Sequence, residues 1–247
     1  MACFNMKIAG AVACVKCLFE STPLYFRAYL TEEAADFSVT VTPDDLRFEQ
    51  AELDREAVEE GFRFRTFTDP FLERAAIQRA FGEFLFDRGV LLMHGSAVAV
   101  DGQGYLFTAR SGTGKSTHTR LWRQLLGDRA VMINDDKPFL QITDKGVLAC
   151  GSPWSGKHGL DSNLSLPLAG ICLLERGNEN QIAPLAPQQV LALLQKHSYQ
   201  PLDAAKAPRF EALVSRLAQA VPLWRMECTK DIQAAQVAYA AMCPKKT

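Results

Sequence analysis

The sequence predicts an α/β protein with a mixed sheet, flanking helices and a small N-terminal lobe rich in β-structure. Three observations support this fold class. A β-hairpin pattern in mid-chain runs into a glycine-rich loop and a helix pattern, strand and helix patterns alternate after residue 69, and residues 1–68 carry short alternating stretches. The length of 247 residues exceeds one average domain but falls short of two, so we expect one core with an appended lobe.

The composition is that of an ordinary globular protein. Hydrophobic residues make up 48% of the chain and charged residues 22%, which allows a sizeable core. The 27 lysines and arginines against 28 aspartates and glutamates leave a net charge of −1. This balance excludes the overall positive field with which proteins hold nucleic-acid backbones, so we expect no nucleic-acid partner.

No segment predicts export or a membrane span. The apolar run Ile8–Val15 is closed by Lys16 and Glu20, and a span needs about 20 apolar residues. The odd number of scattered cysteines favours reduced thiols and a cytoplasmic location. Cys14 and Cys17 form a CxxC without a second pair, so we interpret them as small apolar residues, with zinc or redox use as the alternative. The seven cysteines are Cys3, Cys14, Cys17, Cys150, Cys172, Cys228 and Cys243.

Residues 1–68 form the predicted lobe, and the sequence assigns no role to it. Lys7–Phe19, Leu24–Leu30 and Phe37–Val41 have the patterns of strands and turns. The acidic stretch Asp44–Glu60 is ambiguous between strand and helix, and its simplest interpretation is a solvated face.

A helix is predicted from Asp69, where the predicted domain 69–247 begins. Asp69 suits the cap position and Pro70 the first helical position. Apolar residues then recur at helical spacing until Gly89 marks the end.

Strand patterns dominate after that glycine. Val90–Val100 and Tyr105–Thr108 flank a turn sequence and predict an antiparallel hairpin. The Pro/Gly-rich segment 151–167 is typical of a functional loop. The remaining predicted elements are a helix at about Ser116–Leu126, a strand Ala130–Ile133, a hairpin around Asp144–Gly146, a strand Leu168–Leu174, helices at about 187–198, 208–220 and 230–242, and a strand Pro222–Met226.

The segment after the hairpin has the pattern of a phosphate-binding loop. Ala109 to Ser116 fits GxxxxGK[ST], with alanine in place of the first glycine. Gly112 and Gly114 permit a backbone that turns its N–H groups inward, and the following helix aims its positive end at the same point. Lys115 would reach the terminal phosphates, and the Ser116 hydroxyl would ligate Mg²⁺. The predicted nucleotide-binding residues are Ser111, Gly112, Thr113, Gly114, Lys115, Ser116 and Thr117.

A pair of carboxylates follows the next predicted strand. Asp135 and Asp136 come twenty residues after Lys115, which leaves room for one helix and a return strand. Carboxylates beside a phosphate loop supply the oxygen ligands that Mg²⁺ prefers. The alternative is a polar turn before Lys137 and Pro138.

These motifs together resemble the HPr kinase/phosphorylase and phosphoenolpyruvate carboxykinase superfamily. The resemblance rests on the loop 111–116 after an antiparallel hairpin, on His94-Gly95-Ser96 in the first hairpin strand and on the two aspartates. It covers roughly residues 90–175 and, more weakly, the C-terminal part. More narrowly, the chain resembles HPr-kinase-like ATP-binding proteins. The resemblance implies an antiparallel-rich mixed sheet with a P-loop (Walker A loop), and ATP and Mg²⁺ as ligands.

The resemblance also implies roles for individual residues. One aspartate would ligate Mg²⁺ together with Ser116, and the other would be the general base. We assign Asp135 as base and Asp136 as metal ligand, and leave the reverse open. His94 matches the family's histidine, which would contact the base and assist proton transfer; the alternative is a structural strand histidine.

The segment 151–167 and the helix after the loop hold further candidates. Lys157 could supply positive charge to the departing phosphoryl group, and is predicted to be catalytic with Asp135, His94 and Lys115. Trp154 is either part of a substrate clamp or a packing anchor. His118 could approach a phosphate or be a partly exposed helix-start histidine, and we expect Trp122 in the core.

The function implied is an ATP- and Mg²⁺-dependent kinase that transfers the γ-phosphate to a serine-type hydroxyl of a peptide, protein or small molecule. The alternative is a nucleotide-binding regulatory or assembly protein with little chemistry. The arginine motif of genuine HPr kinase/phosphorylases and a guanine signature are both absent, and the length is half that of carboxykinases. The sequence leaves the acceptor unnamed and homo-oligomerisation open.

Overall fold

The computed structural model describes residues 2–243, which divide into two compact units, one up to Leu85 and one from Phe86 onward. The sequence analysis drew this boundary before Asp69 instead. The difference concerns the helix Asp69–Phe86, which lies almost wholly in the first unit.

The first unit contains a three-stranded sheet in the order β1-β2-β3. Strands β1 and β2 are antiparallel, and β2 and β3 are parallel. Leu24–Leu30, which the sequence analysis included among the patterns of strands and turns, lies in a helical turn, α1, followed by a 3-10 turn, Arg27–Tyr29. Pro23 favours a helical turn at this point, and the buried rings of Phe26 and Tyr29 gave the segment its apolar pattern. The bounds are β1 Ala2–Ile8, β2 Ala11–Cys17, α1 Thr22–Tyr25 and β3 Phe37–Thr40.

Two long helices, α2 (Pro43–Glu60) and α3 (Asp69–Phe86), complete the first unit. The ambiguous acidic stretch is therefore helical. Thr42 and Asp45 form a capping box at its start, and Gly61 ends it in the left-handed region at φ 72°. The description of residues 1–68 as β-rich needs this correction, since α2 alone has 18 residues.

Helix α3 is anchored within the first unit by a buried carboxylate and by ring stacking. Glu73, fully buried, accepts hydrogen bonds from the Leu18 amide and the Thr22 hydroxyl. Phe84 stacks on Phe37 of β3 at 3.8 Å between ring centroids. These contacts explain why the helix that the sequence assigned to the larger domain belongs to the smaller unit.

The cysteines of the first unit are free thiols, like the others. Cys17 is buried, whereas the Cys14 Sγ lies 3.3 Å from the Sγ of Cys3 on the paired strand. Residues three apart on a strand face opposite ways, so the CxxC does not bring its own two thiols together.

The second unit is built on a mixed sheet in the order β4-β8-β9-β10-β6-β5-β7, with β12 pairing with β10 and β11 with β12. Strand β10 runs parallel to β6 and β12, and the other pairings are antiparallel. The predicted hairpins are present as β5–β6 and β8–β9. The strands are β4 Val90–Leu92, β5 Ser96–Val100, β6 Gln103–Thr108, β7 Ala130–Asn134, β8 Phe139–Thr143, β9 Gly146–Cys150, β10 Ser165–Arg176, β11 Gln181–Pro184 and β12 Leu223–Cys228.

The predicted continuous strand Val90–Val100 is broken in two. Its first part, β4, pairs with β8, whereas its second part, β5, pairs with β6 and β7. The break passes through Gly95, where a Cβ would lie 2.6 Å from Leu106 Cδ1 and 3.0 Å from the Phe107 carbonyl oxygen. Only glycine lets the chain cross β6 this closely.

Helices cover both faces of this sheet. In β5, Ala97 and Ala99 belong to a buried cluster with residues of α5 and α6, whereas Val98 and Val100 belong to a second cluster with residues of α4 and α7. This alternation of side chains along a strand gives an α/β/α arrangement. The helices are α4 Lys115–Leu126, α5 Pro187–His197, α6 Ala207–Ala220 and α7 Ile232–Met242, which confirms the predicted helical segments.

No helix in the described part of the chain combines the length and apolar character that crossing a bilayer takes.

Replacing Gly95 by alanine tests the close crossing of β6. We expect Gly95→Ala to lower the free energy of unfolding by roughly 1–3 kcal/mol, because the added methyl group overlaps the Leu106 side chain. Urea denaturation measures the loss. Leu106→Val removes the clashing Cδ1, so the double variant should lose less than the sum of the two single variants. Additive losses would show that the crossing is not tight.

Candidate functional site

A loop of residues 109–114, here called the glycine loop, joins β6 to α4. Strand β6 ends at Thr108 and α4 begins at Lys115, so the loop has the predicted strand before it and helix after it. Gly112 and Gly114 have φ values of 73° and 130°, in the region that favours glycine. The loop therefore depends on both glycines for its path into the helix.

Ala109, which replaces the first glycine of the motif, is fully buried and packs in the cluster beneath α4 and α7. Its carbonyl oxygen lies 3.3 Å from Lys115 Nζ. Lys115 is itself buried, with 8% of its surface exposed. The alanine that replaces the first glycine of the motif thus contributes to core packing. The ammonium group of Lys115 lies against the inside of the loop.

Arg176, at the end of β10, adds a second cation to the glycine loop. Its Nη2 donates to the Gly112 carbonyl oxygen at 2.5 Å, and its Nε lies 3.5 Å from the Thr113 carbonyl oxygen. Sequence reasoning missed this residue. It is brought there because β10 runs parallel to β6, with Leu173 opposite Thr108, a pairing that no local pattern reveals.

Asp135 is connected to the start of α4 by a chain of buried hydroxyl groups. Ser96 Oγ donates to Asp135 Oδ1 at 2.6 Å and lies 2.8 Å from Thr119 Oγ1. Thr119 Oγ1 lies 3.3 Å from the Ser116 carbonyl oxygen. All three linked side chains are buried, so the carboxylate is fixed relative to the first turn of α4. Sequence reasoning gave neither Ser96 nor Thr119 a role of its own.

Asp136 has different surroundings. His94 Nε2 lies 3.5 Å from Asp136 Oδ1, and the Gly95 amide donates to the Asp136 carbonyl oxygen at 2.9 Å. The histidine contact in the structure is therefore with Asp136, whereas the sequence analysis paired His94 with Asp135 as base. A Cβ on Gly156 would lie 3.3 Å from Asp136 Cβ, so the segment 151–164 passes directly over this carboxylate.

Burial governs the charge of this pair. Burial, with smaller contributions from the positive charges of Lys137 and Lys115, lowers the pKa of His94 to about 2. Burial also raises the pKa of Asp136, with Lys137 and Lys115 opposing and Asp135 adding to the rise. Near neutral pH the histidine is uncharged, so its contact with Asp136 is a polar contact rather than an ion pair.

Asn134 ties the aspartates to the segment above them. Its Nδ2 donates to the Ser152 carbonyl oxygen at 2.7 Å, to Ser152 Oγ at 3.0 Å and to the Trp154 carbonyl oxygen at 3.3 Å. Its Oδ1 accepts from the amides of Asp136 and Lys137 at 2.8 and 2.6 Å. One fully buried amide thus fixes two backbone segments, a role that the sequence did not suggest.

The segment 151–164 is anchored by Trp154, which is buried and packs edge-on against Phe139 at 6.4 Å. This burial fits the packing-anchor interpretation of Trp154, and the clamp stays a prediction. Lys157 and His158 are exposed, in a short 3-10 turn that follows Gly156. Lys157, the cation that the sequence predicted, therefore lies on the solvent-facing side of the segment that covers Asp136.

His118 and Trp122 lie one turn apart on α4. The Trp122 ring is fully buried, as predicted, and its Nε1 donates to His118 Nε2 at 3.2 Å. His118 is also buried, with 2% of its surface exposed, so the interpretation as a partly exposed histidine is wrong. The burial of the Trp122 and Phe107 rings against it accounts for this position.

A cavity of about 350 Å³ lies beside the glycine loop. Its lining comes from the loop and α4 on one side and from the ends of β10 and β12 on the other, and includes Gly114, Thr117, His118, Leu174 and Arg176. The aspartates and the segment 151–164 therefore lie on one side of the sheet edge at the glycine loop. The cavity lies at the start of α4, the helix that follows the loop.

The donor set suits a magnesium ion carried by a phosphate group better than a protein-enclosed metal. In residues 2–243 no three His, Cys, Asp or Glu side chains cluster as a metal site. Mg²⁺ bound with substrate phosphates needs only one or two carboxylates, the rest of its shell being water and phosphate oxygens. Ser116 and an aspartate fit this requirement.

Three comparisons relate the chain to known proteins. Residues 81–230, more than half of the chain, match a family described as SynChlorMet cassette protein ScmC. A search of curated proteins gave no match. Among solved structures, the chain is similar to the Hpr(Ser) kinase/phosphatase from Coxiella burnetii, with 15% identity and a TM-score of 0.30 over 50% of this chain and 93% of that one.

The hydrogen bonds of Asn134 can be tested by removing its amide. We expect Asn134→Ala to lower the free energy of unfolding by roughly 2–4 kcal/mol, because several buried partners lose their hydrogen bonds together. Ser162→Ala is the matched control, since it removes a single bond from the same segment to the Met132 carbonyl oxygen and should cost about 1 kcal/mol. Equal losses for the two variants, measured by denaturant unfolding, would contradict the organising role of Asn134.

Proposed function

The chain belongs to the ScmC family, and we propose that it is an ATP- and Mg²⁺-dependent phosphotransferase. Its acceptor would be a serine-type hydroxyl of a peptide, protein or small molecule. One observation carries the proposal. The chain of contacts from Asp135 through Ser96 and Thr119 to the Ser116 carbonyl oxygen joins this carboxylate to the start of the helix after the glycine loop.

The glycine loop would hold the phosphates of ATP. Positive φ values at Gly112 and Gly114 and the helix start at Lys115 are typical of an anion-binding nest. Lys115 and Arg176 supply two cations to a loop whose surroundings are partly buried. Ser111, Thr113, Ser116 and Thr117 would complete the phosphate contacts proposed from the sequence.

Magnesium would be held by Ser116 and one aspartate, and supplies neutralisation of the negative charge that the phosphates carry. The surroundings favour Asp135 for this role. Its carboxylate accepts a hydrogen bond from Ser96, which in turn contacts Thr119. These two hydroxyl groups connect the carboxylate to the first turn of α4, which contains Ser116.

The surroundings of the two aspartates favour Asp136 as the general base, which reverses the sequence-based assignment. Its side chain is 35% exposed and lies against His94 and beneath Gly156, whereas Asp135 is buried. A base must be reachable by the acceptor hydroxyl. The uncharged His94 can donate a hydrogen bond to the Asp136 carboxylate and hold it in position.

The reaction follows from this placement. The acceptor hydroxyl gives its proton to Asp136, its oxygen forms the new bond to the γ-phosphorus, and the bond to the β,γ-bridging oxygen breaks to release ADP. Lys115 stabilises the phosphate charge, and Lys157, on the turn that covers Asp136, would add a cation from the acceptor side.

Removing Lys115 tests the nucleotide-binding part of the proposal. We expect Lys115→Ala to weaken ATP binding by roughly 10- to 100-fold, because a charge-assisted contact to phosphate is lost. Isothermal titration calorimetry measures this affinity. The matched control is Lys145→Ala in the β8–β9 turn, which should bind ATP as the wild type does. Undiminished binding by Lys115→Ala would contradict the placement of phosphates on the glycine loop.

Neutralising each aspartate separately tests the chemistry. We expect Asp136→Asn to retain Mg·ATP binding and to lose transfer by roughly 10²- to 10⁴-fold, because the hydroxyl proton has no acceptor. Asp135→Asn should instead weaken binding of Mg·ATP more than binding of ATP without metal.

The measurement is transfer of labelled γ-phosphate to serine-containing peptides and metabolites, with Asp144→Asn on the exposed β8–β9 turn as control. Transfer that survives Asp136→Asn but fails in Asp135→Asn would restore the sequence-based assignment. Tight ATP binding with no transfer to any acceptor would favour a nucleotide-binding regulator.

A further inference from the structure

Among the buried side-chain nitrogen and oxygen atoms in the described part of the chain, Nδ1 of His118 lacks a hydrogen-bond partner. Buried polar groups are nearly always paired, because leaving one unpaired costs about 1–3 kcal/mol. His118, the residue with this unpaired atom, also lines the cavity beside the glycine loop. A buried donor or acceptor without a partner, on a residue that lines a cavity, is a group with which a bound ligand could pair.

The surroundings of the ring fix its hydrogen-bonding character. Trp122 Nε1 can only donate, so His118 Nε2 accepts this bond and carries no proton. Burial lowers the pKa of His118 to about 4, which leaves the ring neutral near pH 7 with its proton on Nδ1. The unpaired atom is therefore a hydrogen-bond donor that requires an acceptor.

The ring is also held in place. It packs against Phe107 at 4.6 Å between centroids, and Trp122 is packed in turn against Tyr105 at 5.2 Å and Tyr239 at 5.7 Å. Because these rings are buried together, His118 has little freedom to turn its donor elsewhere.

The lining residues of the cavity suit a nucleobase. It begins at Thr113, Gly114 and Thr117, which also belong to the proposed phosphate site, and continues between the apolar side chains of Leu121 and Leu174. A ligand whose phosphates lie on the glycine loop would place its next portion here. A flat heterocycle between apolar walls, with an acceptor nitrogen in its plane, would meet the donor of His118.

We propose that the Nδ1–H of His118 donates a hydrogen bond to a ring nitrogen of the purine, making this cavity the base subsite and His118 a specificity-determining residue. The inference rests on the proposed function, because it assumes that a nucleoside triphosphate binds the glycine loop. A purine presents acceptor nitrogens at positions 1, 3 and 7, and the proposal requires one of them to face His118.

Comparison of ATP with inorganic tripolyphosphate separates the two claims. Tripolyphosphate contacts only the phosphate site, so its affinity should be the same in the wild type and in His118→Leu. The affinity for ATP should be roughly tenfold weaker in His118→Leu, since the donor is lost. His118→Asn, whose amide can stand near the Nδ1 position, should recover most of the affinity. Gln124→Leu, on the exposed side of the same helix, is the control and should match the wild type.

Deaza analogues identify the acceptor in the unaltered protein. Of 1-deaza-, 3-deaza- and 7-deaza-ATP, one should bind the wild type roughly tenfold more weakly than ATP, and that difference should vanish in His118→Leu. Binding of the three analogues to the wild-type protein tests the inference even if His118→Leu does not fold.

Two results would overturn the inference while leaving the proposed function intact. They are equal binding of all three analogues and ATP by the wild type, or a loss in His118→Leu that is as large for tripolyphosphate as for ATP. Failure of the wild type to bind either ATP or tripolyphosphate would overturn the proposed function and the inference with it.

Discussion

The parallel pairing of β10 with β6 is the interaction on which the site of the second unit depends. It aligns Leu173 with Thr108, so the end of β10 stands beside the glycine loop. From this alignment Arg176 reaches the loop carbonyls, and Leu174 forms one wall of the cavity. Because β10 also pairs with β12 and β9, a shift of its register would displace the loop support and the cavity wall together.

The charges of the site are arranged locally in a chain that is nearly neutral overall. Lys115 and Lys137 lie close enough to His94 to lower its pKa, after burial, which is the larger cause, and Arg176 lies against the glycine loop. A net charge of −1 therefore conceals a concentrated positive potential at one edge of the sheet. Burial strengthens the interactions of Lys115 in particular, because little water is present to screen them, whereas Arg176 is exposed.

Local patterns predicted most elements of the second unit. The turn residues between β5 and β6 and the apolar spacing of α4 are readable within a few residues, so both elements are where the sequence put them. The short strand Gln181–Pro184 was missed, since its polar and proline residues are typical of an edge. The crossing at Gly95 did leave a signal, a glycine inside a strand pattern.

The partners of the site residues were harder to predict than the residues themselves. The glycine loop and the aspartates were found from spacing, although their roles stay predictions. The Ser96–Asp135 bond joins positions 39 residues apart, and the Arg176–Gly112 bond joins positions 64 apart. Such contacts depend on strand order and register, which one sequence does not contain. For the same reason the sequence left open which of the two adjacent carboxylates His94 contacts, although it favoured Asp135.

The bonds from Arg176 to the carbonyl oxygens of Gly112 and Thr113 have a kinetic consequence. They hold these carbonyl groups toward the guanidinium and so fix the orientation of the loop's peptide dipoles. In the proposed phosphate complex, a loop held in this way would need no rearrangement of its backbone when the anion arrives. The proposed nest would then be a rigid receptor, whose capture rate is set by diffusion and local charge rather than by loop closure.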